Sequence, residues 1–110
     1  MLCEPVYFHL TSARIHKRSI VLLSKLARFI AARPQLKKVR IESHTDERGS
    51  SGYNRRISQE RAEAIRAYLV GRGIPARRLE AAGIGEDRPV DPRHNPEAWA
   101  RNRRVELHIL

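Results

Sequence analysis

Strand-like and helix-like patterns of apolar residues take turns along this chain. Residues 5–10, PVYFHL, set Val6, Phe8 and Leu10 against Tyr7 and His9, the period of a strand with one buried face. After Ser12, a potential cap, Ile15, Ser19, Leu22, Leu23, Leu26, Phe29 and Ile30 form a helical stripe. Lys17, Arg18, Lys25 and Arg28 lie largely off it, and Pro34 ends it. Val39, Ile41 and Ser43 then alternate with Arg40, Glu42 and His44, giving a second strand that carries Thr45 and Asp46 at its end.

A polar, glycine-containing loop from Glu47 to Arg56 follows. Ser58 has the chemistry of an N-cap and Ile57 can staple onto Ala62, so the pattern predicts a second helix from Gln59 to about Val70. Ala62, Ile65 and Leu69 form its buried face, and Gly71, Gly73 and Pro75 terminate it. A short third strand is expected around Arg78 to Ala81. GIGEDRP at 83–89 lacks the GxGxxG spacing and the following helix of a dinucleotide site, and is read as a turn. Asn95 and Pro96 fit the cap and first position of a short helical turn in which Trp99 is a packing anchor. A last strand, Arg104 to Ile109, points Val105, Leu107 and Ile109 inward and Arg104, Glu106 and His108 to the opposite face.

These elements predict an α/β (α+β) two-layer sandwich of βαβαβ(α)β order, one domain over residues 1–110. The expected sheet is mixed and four-stranded, with helices on one face and charged residues pairing across the other. Its first two strands, joined by a helix, are expected to form a parallel pair with a right-handed crossover.

Candidate chemistry concentrates between Ile41 and Ala62, at the carboxyl end of the second strand, where ligands of such sheets gather. Counted from Ser58, Arg61 stands at the third helical position, where the dipole disfavours a cation by about 0.3–1 kcal/mol. An arginine beside unpaired helix-start amides is a receptor for a carboxylate or phosphate, and Asp46, one loop away, suits an ammonium. The two residues either receive a zwitterion or pair with each other to tie the loop down. Asn54 is spaced to converge with them. His44 is read as a structural hydrogen-bonding residue.

Composition narrows the functions. The 110 residues hold 22 Lys and Arg against 12 Asp and Glu, a net charge of +10, which calls for an anionic partner or a basic solvated surface. Aromatics are few, zinc-finger spacing is lacking and the basic residues are spread over every segment, so nucleic acid is not the expected partner. Cys3 is the only cysteine and has no internal disulfide partner. No catalytic residue, cofactor or metal is expected. His44 with Asp46 is the only arrangement like an acid/base pair, and Cys3, His9 and His94 are too scattered for a nucleophilic or metal constellation. No run approaches ~20 apolar residues. The chain carries no export signal or anchor, so membrane association is expected only through a segment outside it.

The motifs also resemble a known family. HTD at 44–46, Gly49, YN at 53–54, IS at 57–58, RA at 61–62, YL at 68–69, GI at 73–74, GIGEDRP at 83–89 and NRRVE at 102–106 occur in the order of the peptidoglycan-binding domain of the OmpA-like family. The resemblance covers Phe8 to Ile109, and DERG at 46–49 is most like the family's lipoprotein branch. It implies non-catalytic binding of cell-wall peptidoglycan through the meso-diaminopimelate of the stem peptide, anchoring the outer membrane or a membrane complex to the wall. The expected location is the periplasm at the outer membrane, as part of a longer exported protein, with other envelope proteins as possible partners.

Carried over by position, Asp46 takes the ammonium and Arg61 a carboxylate. Asn54 holds ligand and loop, Thr45 adds backbone contacts, Arg104 lines or braces the floor, and Thr11 in the turn after the first strand touches the ligand. Two departures bear on affinity: Ser43 stands where the family commonly has Gly, and Thr11 where some members have Asn. Charge-driven nucleic-acid binding, and a protein-interaction domain that has lost its ligand, are the alternatives.

Overall fold

The computed structural model describes residues 2–4 and 15–110. The strand expected at 5–10, with Thr11 and Ser12, lies outside the described residues. The described elements are β1 (Leu2–Glu4), α1 (Ile20–Ala31, after a 3-10 turn at Lys17–Ser19), β2 (Val39–His44), α2 (Ser51–Gly71), β3 (Leu79–Gly85), α3 (Pro96–Asn102) and β4 (Arg104–Ile109). None of their helices is long and apolar enough to cross a membrane.

The chain forms an α+β fold around a mixed sheet ordered β1-β4-β2-β3. β4 runs antiparallel to both β1 and β2, and β2 runs parallel to β3. β4 thus separates β1 from β2, and β2 and β3 are parallel neighbours joined through α2; the parallel pair expected between the strand at 5–10 and β2 lies outside the described residues. Leu23, Ala27 and Ile30 of α1 and Ala62, Ile65 and Leu69 of α2 pack with Val39, Ile41, Leu79, Val105 and Leu107 in one core, so both long helices cover the same sheet face.

On the opposite face the charged residues pair as expected, Arg40 with Glu42 and Arg104 with Glu106, but the face is not open to solvent. Glu42, His44, Arg104 and Glu106 are all buried there. Arg104 Nη2 donates to the Arg88 carbonyl at 2.9 Å and Arg88 Nη1 reaches Glu42, bringing the segment after β3 against the strands. Ile109, expected inside, is exposed at the strand end.

α2 starts about two turns earlier than its apolar stripe indicates. Its cap is Ser50, whose Oγ accepts from the Tyr53 amide at 3.1 Å, so residues 51–56 are helix and the loop is short. Ser58 lies fully buried inside the helix. Its Oγ donates back to the Arg55 carbonyl and accepts from the Gly85 amide at 2.9 Å.

That contact belongs to a series covering the free edge of β3. Gln59 Oε1 accepts from the Gly83 amide, Gln59 Nε2 donates to the Ala81 carbonyl, and Arg66 Nε donates to the Leu79 carbonyl. An edge strand left bare is a pairing hazard; here α2 side chains take its donors and acceptors. Gly83 and Gly85, expected in a turn, therefore lie within β3 as the surface on which α2 rests.

Candidate functional site

A cavity of about 160 Å³ lies beside the carboxyl end of β2, lined by Thr45, Asp46, Tyr53, Asn54, Ile57, Arg61 and Arg103. The ladder delivers the first two, since the Thr45 amide still donates to the Gly85 carbonyl at 2.9 Å before the chain turns away. α2 delivers the next four. Tyr53, Ile57 and Arg61 are spaced by four and so share a helix face, with Asn54 beside them.

Arg61 lies about three turns inside α2, so the expected receptor of helix-start amides does not form around it. It lines the cavity from the helix flank. Burial pulls its pKa down, and nearby Tyr53 works in the opposite direction. A partly dehydrated guanidinium gains more from a carboxylate than one in bulk water does.

Asp46 pairs with Arg48 and Arg103. Arg48 donates to Oδ1 from its backbone amide at 2.9 Å and to Oδ2 from Nη2 at 2.8 Å, and Arg103 Nη1 reaches Oδ2 at 2.9 Å. Burial disfavours the Asp46 carboxylate, yet the Arg48 and Arg103 hydrogen bonds outweigh it and hold the group below its ordinary pKa. The alternative in which Asp46 is tied down by Arg61 gives way to one in which other arginines hold it.

Asn54 acts as a brace. Its Nδ2 donates to the carbonyls of Asp46 and Arg48 and to Glu86 Oε1 at 3.0–3.2 Å. Thr45 Oγ1 donates to the Asp46 carbonyl, and its amide is occupied by Gly85. Arg104 does not line the cavity: its Nε donates to Glu106 on the far sheet face. Arg103, its neighbour, is the residue of the NRR run that reaches Asp46.

Trp99 fixes the outer loop. Its Nε1 donates to Glu47 at 3.0 Å, His94 meets the same carboxylate at 2.6 Å, and the Arg48 guanidinium stacks 4.6 Å from the indole centre. Asn102 then joins the end of α3 to the segment before it. Its Oδ1 accepts from the Val90 and Asp91 amides and its Nδ2 donates to the Asp91 carbonyl.

The Asp91 side chain completes that brace, held by Arg93 and Arg101. Hydrogen bonds from the Arg93 side chain and amide, with the charge of Arg101, hold its carboxyl well below the usual carboxylate range. A carboxyl depressed on folding contributes stability that is full above its unfolded pKa of about 4 and lost as pH falls toward its folded value. Asp91→Asn is therefore expected to lower the urea midpoint at neutral pH, and the gap from wild type should shrink as pH drops below about 4. A gap independent of pH would contradict this role.

The OmpA family model matches residues 7–103. The chain belongs to the OmpA family. It is 38% identical over 101 residues to the peptidoglycan-associated lipoprotein of Pseudomonas aeruginosa, covering 92% of this chain and 59% of that protein. The crystal structure of the peptidoglycan-associated lipoprotein from Burkholderia pseudomallei matches with a TM-score of 0.82 and 34% identity, over 97% of this chain and 88% of that one. A MotB-like protein from Desulfovibrio vulgaris matches with a TM-score of 0.85 and 30% identity, over 96% and 69%. The chain thus spans about 60% of the length of the first curated relatives it matches. Within this OmpA-family fold, Tyr53, Ile57 and Arg103 are cavity residues not predicted from the sequence. The spacing of four from Tyr53 to Arg61 points to the first two once α2 is started at Ser50.

Proposed function

We propose that this OmpA-family chain binds cell-wall peptidoglycan without catalysing a reaction, recognising the meso-diaminopimelate of the stem peptide. In a longer exported protein it would hold the outer membrane or a membrane complex to the wall from the periplasmic side. The observation that carries this is the single cavity lined by both Asp46, from the end of β2, and Arg61, from α2. Diaminopimelate in a stem peptide offers an ammonium and a carboxylate on one side-chain carbon, whereas lysine offers only the ammonium. The Arg61 guanidinium receives the carboxylate and the Asp46 carboxylate the ammonium. Arg103 and Arg48 keep Asp46 ionised and aimed, and Asn54 holds its loop. The names of the relatives support the same ligand class.

Sedimentation with insoluble sacculi tests the proposal. Wild type is expected to pellet with diaminopimelate-type sacculi much more than with lysine-type sacculi, at low and moderate salt alike. Equal pelleting with both, fading with salt, would mean that the net charge of +10 does the binding.

A further inference from the structure

On the sheet face away from the core, Glu42 of β2 stands directly opposite Glu106 of β4 across the antiparallel ladder. Both are buried, at 1% and 7% exposure. Like charges facing each other across a ladder repel, and burial deepens the cost unless cations lie between them. Arginines occupy the outer oxygens: Arg40 Nε donates to Glu42 Oε2 at 2.9 Å and Arg104 Nε to Glu106 Oε2 at 2.6 Å.

His108 faces both remaining oxygens, and His44 faces the remaining oxygen of Glu42 and the Glu106 oxygen that Arg104 holds. His108 Nε2 lies 3.2 Å from Glu42 Oε1 and 2.9 Å from Glu106 Oε1. His44 Nε2 lies 3.5 Å from Glu42 Oε1 and 3.8 Å from Glu106 Oε2. The His44 side chain is sealed from solvent at 1% exposure, and among the described residues neither of its ring nitrogens has a hydrogen-bond partner. Native structures rarely leave a buried polar group so. The separations at His44 are long for hydrogen bonds. They suit neighbouring ligands of one ion, since donors at ~2.0–2.1 Å around a tetrahedral centre stand roughly 3.3 Å apart.

We propose that this face binds a divalent transition-metal ion of the zinc class, held by Glu42, Glu106 and His108, with His44 Nε2 as the fourth donor. The ligating atoms of Glu42, Glu106 and His108 already lie within 4.8 Å of one another. Imidazole and carboxylate donors without thiolates select zinc, cobalt or nickel over calcium and magnesium, which take oxygen donors. Arg40 and Arg104 act from outside, each fixing one carboxylate oxygen so that the other is free to ligate. Entry is past half-exposed His108 and the exposed side chain of Arg88, whose Nη1 rests 3.4 Å from Glu42 Oε1. His44 is two residues from Asp46, so the ion would stiffen the strand end that carries the ligand cavity. The metal site itself does not depend on what that cavity binds.

The test is titration of untagged, metal-stripped full chain with Zn2+ by calorimetry, and with Co2+ by visible absorption, for wild type, His108→Ala and Glu106→Gln. His108 is at the rim of the site, so its variant is expected to fold. Wild type should take up one equivalent of Zn2+ and develop a four-coordinate Co2+ spectrum. His108→Ala should lose tenfold or more in affinity, and Co2+ should displace the ring resonances of both His44 and His108 in wild type. Absence of stoichiometric uptake by wild type would overturn the proposal. So would uptake unchanged in both variants, which would place the ion elsewhere.

Discussion

Gly83→Ala is expected to destabilise the protein by about 3 kcal/mol, the upper end for overpacking, and to lower its midpoint by roughly 12 °C or more. A Cβ at Gly83 would lie 2.2 Å from the Gln59 amide nitrogen and 2.5 Å from its Cα. Those atoms belong to the backbone of α2, so no side-chain rotation relieves the clash; the helix must lift from β3. Lifting it also breaks the Gln59 and Ser58 hydrogen bonds to the strand edge. Gly52→Ala is the control. It sits in the first turn of the same helix with nothing within 4 Å of the new methyl, and should be neutral or stabilising by up to about 1 kcal/mol. Thermal and urea unfolding of the two variants against wild type measure the difference. Equal, small effects would mean that α2 does not bear on β3 as described.

The second large effect is expected at the cavity. Arg61→Lys keeps the charge and removes the planar fork, so a carboxylate is held by a single point contact. A charge-assisted hydrogen bond is worth about 1.5–3 kcal/mol when shielded, so the affinity for a diaminopimelate stem peptide should fall roughly 10- to 100-fold. Lysine-type peptide, lacking that carboxylate, should bind the variant and the wild type alike. Asp46→Asn should weaken both peptides, because it removes the ammonium's partner and also frees Arg48 and Arg103. Unfolding midpoints close to wild type would assign these losses to the cavity and not to the fold.

Much of this was legible from the chain alone where one local signal stood unopposed. Alternation located β2 and β4, and Asn95 followed by Pro96 marked the start of α3, where the Asn95 side chain accepts from the Ala98 amide at 2.8 Å. The start of α2 was obscured because two serines have equal capping chemistry. Ser58 sits beside the apolar stripe and Ser50 beside a polar turn, and only the packing of Ser58 against Gly85 decides between them. Misplacing that start put Arg61 on a helix dipole that it does not meet. It also hid the Tyr53 and Ile57 face.

Adjacent arginines posed a similar choice. Arg104 is the first residue of β4 and its alternation with Val105 sends it to the far face, leaving Arg103 to reach Asp46. The carboxylate and histidine cluster of Glu42, His44, Glu106 and His108 has no local spacing to detect. Its members alternate along two strands more than sixty residues apart, and only the β2–β4 register sets them opposite one another. What the residues do support from the start is the junction of Thr45, Asp46, Asn54 and Arg61, which the fold gathers into one cavity.

Recognition of a zwitterionic stem-peptide residue by this cavity is tested most directly by titrating soluble diaminopimelate-containing muropeptide into isotopically labelled protein, with the lysine-containing counterpart alongside. Amide and side-chain resonances of Thr45, Asp46, Tyr53, Asn54, Arg61 and Arg103 should shift together and saturate for wild type with the diaminopimelate ligand. The same titration should be weakened at least tenfold in Arg61→Lys. Shifts spread over the basic surface, equal for both muropeptides and unchanged in Arg61→Lys, would contradict the assignment of this cavity as the binding site.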